Sequence, residues 1–97
     1  MASEKIYPLR FSIVFATILD MIELQNGKET FADSPHGRVH FLISMYGFKW
    51  EMKFAVTKAG DSSRVYLEIG GEPDGRARML EQEFALLDSM LVGVKAC

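Results

Sequence analysis

The chain has 97 residues and a formal net charge of −2 at pH 7, with 48% apolar and 25% charged residues. That is material for one domain with one hydrophobic core, too apolar for a disordered chain. It is also too acidic overall for general attraction to nucleic acid or an anionic membrane. The only cysteine, Cys97, is the last residue, so no disulfide can form within the chain. It is expected as an exposed thiol, and the cysteine usage suits a reducing compartment or indifference to redox.

The first five residues, Met1-Ala2-Ser3-Glu4-Lys5, are polar and do not read as a signal peptide. The longest apolar run, residues 13–19, is interrupted by Thr17 and followed by Asp20. It falls short of the roughly 20 apolar residues that span a bilayer. A cytoplasmic location is therefore expected. Residues 5–25 carry two periodicities. Leu9, Phe11, Ile13 and Phe15 alternate like a strand, whereas Phe11, Phe15, Ile18 and Ile22 recur like a helix. Asn26-Gly27 suits either a helix stop or a hairpin turn. The reading adopted is a short strand over residues 5–10 and a helix over residues 12–24.

Residues 28–32 predict a short polar strand, suited to a sheet edge. Asp33-Ser34-Pro35-His36-Gly37 is a turn. Residues 38–46 then alternate, with Val39, Phe41, Ile43 and Met45 on one face. The clearest strand is residues 48–56, where every even position is apolar and Lys49, Glu51 and Lys53 take the other face. Tyr46-Gly47 between them forms a two-residue hairpin loop. That loop sets Met45 against Phe48, Ile43 against Trp50, Phe41 against Met52 and Val39 against Phe54. All eight large side chains then share one face, and a slip of one residue would oppose apolar to polar. A turn at residues 59–63 leads to a third strand, residues 64–69, with Val65, Leu67 and Ile69 extending the apolar face.

Gly70, Gly71 and Pro73 end the sheet. Asp74 reads as the N-cap of a helix, with Gly75 weakening its first turn. Leu80, Phe84, Leu87 and Leu91 recur at helical spacing, flanked by Met79, Leu86 and Met90. Glu81, Gln82, Glu83 and Asp88 fall mostly on the other faces. Gly93 is a candidate C′ residue. The expected fold is α+β: a curved antiparallel sheet of four or five strands in a meander, packed on a long C-terminal helix, with an N-terminal helix.

The order of features over residues 37–92 resembles the START-like (helix-grip, polyketide-cyclase-type) superfamily. It runs from Gly37-Arg38-Val39-His40-Phe41, through Tyr46-Gly47 to the aromatic strand with Trp50. Gly60-Asp61 then leads to Arg64-Val65-Tyr66-Leu67-Glu68-Ile69-Gly70, and the helix ends Phe84-Ala85-Leu86-Leu87. The resemblance implies a sheet that grips the helix and a hydrophobic ligand held between them. The family normally has more strands, so this chain would be a trimmed version. It has no single catalytic motif to carry over, and no catalytic residue is assigned.

The ligand reading rests on Phe41, Met45, Trp50, Met52, Phe54 and Phe84, with Phe48, Met79 and Met90 nearby. Adaptable methionines beside large aromatics suit an apolar guest, and the competing reading is a packed core. On the polar face the registers align His40, Lys53 and Glu68 in a row. Such a row could transfer protons, but it more commonly pairs charges on a solvated surface. His36 and His40 straddle a turn and lack a third ligand, so no metal site is expected. No phosphate loop, catalytic triad or cofactor motif is present, and no cofactor is expected. The lysines alternate with aromatics that face the other way, which argues against RNA binding. Leu42, Tyr46 and Tyr66 break the polar pattern of the outer face. Either a partner, such as a second copy in a homodimer, covers them, or the N-terminal helix does. The function read from the sequence is a small non-catalytic binding domain for a hydrophobic molecule. The alternative is an oligomerising interaction or regulatory domain without a small ligand.

Overall fold

The computed structural model describes residues 1–71 and 73–95, excluding the side chains of Pro73, Val94 and Lys95. The expected thiol, Cys97, lies outside the described residues. Strand β1 (Ala2–Tyr7) is followed by helix α1 (Phe11–Leu24), then strands β2 (Lys28–Asp33), β3 (Arg38–Met45), β4 (Phe48–Ala59) and β5 (Ser62–Gly70), and helix α2 (Arg76–Lys95). The five strands form one antiparallel sheet in the order β1-β5-β4-β3-β2. This is the expected α+β architecture. Among the described residues no helix is long and apolar enough to cross a membrane.

The expected registers hold pair by pair. Met45 faces Phe48, Ile43 faces Trp50, Phe41 faces Met52 and Val39 faces Phe54. Phe54 faces Leu67, and Val56 faces Val65. The first strand lies earlier than residues 5–10. Pro8 has no N–H to give a ladder, and β1 ends at Tyr7, opposite Ser63. Ser63 is not a turn residue but a wholly buried member of β5, whose hydroxyl donates to the Leu9 carbonyl at 2.7 Å. Asn26-Gly27 stops α1. Asn26 adopts φ 56, while the amides of Asn26 and Gly27 donate to the carbonyls of Glu23 and Ile22. That is a Schellman arrangement with asparagine at the left-handed position.

Both helices pack on the same face of the sheet. Val14, Ile18 and Met21 of α1 join Phe41, Trp50, Met52, Phe54 and Leu67 of the sheet and Met79, Leu87 and Leu91 of α2 in one buried cluster. So α1 does not cover the outer face of the sheet, as one expectation had it. Its apolar stripe competes for the same greasy surface as that of α2, and the meeting of the three makes the core.

The helix α2 departs from expectation in three ways. It begins at Arg76, after a single turn of 3₁₀ helix at Pro73–Gly75, so Asp74 precedes rather than caps it. It runs on through Gly93, which is therefore not C′. Its buried stripe is Met79, Glu83, Leu87 and Leu91, while Leu80 and Phe84 are only partly buried. Glu83, expected on a wet face, is fully buried. Apolar residues occur around most of this helix, so periodicity alone does not select which stripe turns inward.

Candidate functional site

The β3–β4 hairpin turns through Tyr46 and Gly47, both left-handed at φ 57 and 79. Glycine accepts this freely and Tyr46 accepts it at some cost, in the pattern of a type I′ turn. The turn carries Tyr46 towards α2 rather than onto the outer face. Its hydroxyl donates to Oε1 of Gln82 at 2.9 Å, and Gln82 Nε2 reaches Met45 Sδ at 3.2 Å. The hairpin tip is thereby tied to the helix.

Trp50 lies beneath this tie, 2% exposed. Its indole N–H donates to the Met45 carbonyl at 3.1 Å, which satisfies its one polar atom. Phe48 meets it edge-on, with ring centres 6.3 Å apart and planes at 76°. The backbone entering α2 passes close over the indole. A Cβ on Gly71 would stand 3.3 Å from Cε3, and one on Gly75 would stand 3.0 Å from Cζ2.

Above the indole an open cleft of about 310 Å³ separates the hairpin from the start of α2, lined by Tyr46, Phe48, Trp50, Asp74, Gly75, Arg78 and Met79. Its lining is mainly aromatic and thioether, with Asp74 and Arg78 contributing charge at the start of α2. Of the six residues expected to hold a ligand, Trp50 lines this cleft and Met45 adjoins it through the indole hydrogen bond. Phe41, Met52 and Phe54 are enclosed in the core at 0–1% exposure, with the Phe41 and Phe54 rings stacked 6.0 Å apart. Phe84 is a partly buried member packed against that core.

The structure brings His40, Lys53 and Glu68 into the expected cross-strand row. Lys53 pairs with Glu51 on its own strand at 3.2 Å, and His40 packs against the Phe31 ring at 4.9 Å. Both partners keep the row a solvent-facing arrangement of charge and ring pairs. His36 Nδ1 lies 2.8 Å from Asp33 Oδ2 within its turn. Among the described residues no group of three or more His, Cys, Asp or Glu is placed to hold a metal ion.

Two polar features escaped the sequence reading. At the far end of α2, Asp88 accepts from Tyr7 and from Lys5, each at 2.6 Å, and so clamps β1 to the helix. Burial pushes the Asp88 carboxyl up, but the hydrogen bonds from Lys5 and Tyr7 and the Lys5 charge outweigh it and hold it below the usual range. Burial and the same carboxylate push the Tyr7 phenol well above its ordinary value. Tyr7 and Asp88 are 81 residues apart, and nothing local signals them. The second feature is Glu83. One oxygen accepts from Gln25 Nε2 at 2.9 Å, and the other, Oε2, is buried without a partner among the described residues. Burial pushes this carboxyl upward, against a smaller lowering by Gln25. The interrupted series Met79-Glu83-Leu87-Leu91 was the only local clue.

No protein-family model matches the chain, and no curated protein matches it. Solved structures do. The crystal structure of Ara h 8.0201 superposes with a TM-score of 0.72 at 16% identity, over 97% of this chain and 94% of that one. That of TTHA0849 from Thermus thermophilus gives a TM-score of 0.58, also at 16% identity, over 99% and 94%. The fold is thus the expected START-like helix-grip fold, shared with these two structures. Here a five-stranded sheet grips α2, with α1 beside it.

Proposed function

We propose that this chain is a small non-catalytic binding domain that holds a hydrophobic molecule where the β3–β4 hairpin meets the start of α2. The observation that carries this reading is the open, largely apolar cleft over Trp50, flanked by Phe48, Tyr46 and Met79. Its volume lies at the small end of ligand sites, which suits a body of one or two fused rings. Phe48 is 49% exposed although large and apolar, a cost that an apolar guest would remove. Phe41, Met52 and Phe54 serve as the rigid layer of the same core. A cytoplasmic setting completes the reading, supported by the lack of any second cysteine.

The test is titration of ¹⁵N-labelled protein with 1-naphthol. Saturable shifts of the Trp50 indole N–H and of Phe48 and Met79, weakened about tenfold in Phe48→Ser, are expected. Binding with no effect at these residues, or no binding up to the solubility of the probe, would overturn the proposal.

A second reading, an oligomerising interaction domain, is favoured by the uncovered outer face. Phe31 and Tyr66 lie there at 46% and 38% exposure, and β2 is an edge strand exposed along nearly its whole length. A second copy pairing along β2 would cover both the edge and Phe31. Light scattering decides: a dimer that Phe31→Glu converts to monomer supports this reading, and a concentration-independent monomer removes it.

A further inference from the structure

Among the described residues the interior of this fold contains one wholly buried carboxyl, which hydrophobic packing does not call for. Glu83 is 0% exposed, sits in the middle of the buried stripe of α2, and leaves Oε2 without a partner among the described residues. A buried, half-satisfied carboxyl is costly, and a leucine would fill the same place without that cost. Its hydrogen-bond partner and the residue one helical turn before it each line an open cleft. Met79, one helical turn earlier on the same buried stripe, lines the cleft over Trp50. Gln25, its hydrogen-bond partner, lines a second cleft of about 410 Å³ with Asn26, Lys28 and Leu42.

We propose that Glu83 is the interior recognition group of the binding site: it hydrogen-bonds the hydroxyl of a small neutral alcohol or phenol whose apolar body lies against Trp50 and Met79. This rests on the ligand-binding reading above and adds the chemistry of the ligand's polar end. A hydroxyl is the matching group because it can donate to an ionised carboxylate and accept from a protonated one. A ligand carboxylate would meet like charge wherever Glu83 is ionised, whereas a neutral hydroxyl suits both forms. Met79 is the movable side chain, since an unbranched thioether changes rotamer at low cost and can withdraw to admit the hydroxyl. Burial shifts Glu83 towards the protonated form, which can donate to the ligand's hydroxyl oxygen, while its ionised form accepts from that hydroxyl.

The experiment compares 1-naphthol with naphthalene, which share the apolar body and differ in the hydroxyl, on wild type and Glu83→Leu. Wild type is expected to bind 1-naphthol at least about tenfold more tightly than naphthalene, the worth of one buried hydrogen bond. Glu83→Leu is expected to lose that preference while keeping naphthalene affinity. On wild type, the Gln25 side-chain amide signal is expected to move with 1-naphthol and not with naphthalene, a readout that needs no variant. Equal affinities for the two probes, an unmoved Gln25 amide, or an undiminished preference in Glu83→Leu would overturn the assignment of Glu83 while leaving the cleft as a binding site. Failure of both probes to bind would remove the site itself.

Discussion

The Trp50 indole and Gly75 meet so closely that a single carbon added to the glycine would overlap Cη2 of the ring. Gly75 closes the 3₁₀ turn before α2, and its missing side chain is what lets the chain pass over the tryptophan.

Gly75→Ala is therefore expected to destabilise the fold, although alanine is the better helix former. Overpacking against a ring held by its N–H bond to Met45 should cost about 1–3 kcal/mol, read as a lower urea midpoint. An unchanged or raised midpoint would show that the close approach is easily relieved.

Trp50→Ala removes the largest fully buried side chain and the donor to the Met45 carbonyl. A loss of about 3–5 kcal/mol is expected, enough to bring a domain of this size near its unfolding threshold. Trp50→Phe should cost distinctly less, and chemical denaturation of the two variants side by side checks the order.

Glu83 gives stability a pH dependence of known sign. Its folded carboxyl titrates above the ordinary 4.5, so between 4.5 and the raised value the native state holds more protons than the unfolded one. Stability must then fall as pH rises through that window. Glu83→Gln should flatten this fall and keep the hydrogen-bonding contact with Gln25. A wild-type melting temperature that does not drop with rising pH above 4.5, relative to this variant, would contradict the burial of Glu83.

The Asp88 clamp runs the opposite way. Its carboxyl is held low in the fold, so its contribution is present above the ordinary 3.8 and is lost as pH falls through the folded value. Tyr7→Phe removes one of the two hydrogen bonds that anchor β1 to α2 and should cost about 1 kcal/mol, with amide exchange speeding up most in β1. Equal protection of β1 in both proteins would mean that its pairing with β5 alone holds it.

Much of this molecule is legible in the residues themselves. The alternation in residues 38–56, with Gly47 at the turn, admits one register, because a slip would expose Phe41, Trp50, Met52 and Phe54. Pairing of β4 with β5 follows from the same face, and Tyr46-Gly47 and Gly60-Asp61 carry their own turn chemistry. Strand patterns are read well because the period of two is strict, and each residue commits its neighbours.

What the tertiary structure alone decided lies in the helices and their ends. Residues 76–95 carry apolar side chains on most sides, so the docking of α2 on a twisted sheet, with α1 beside it, chose Met79, Glu83, Leu87 and Leu91 as the inward stripe. That choice buried Glu83 and put Met79 at the cleft. The bond from Tyr7 to Asp88 and the passage of Gly75 over Trp50 join residues distant in the chain, and no local periodicity encodes a distance. Periodicity determines which residues of an element share a face. Only packing against the rest of the chain determines what that face meets.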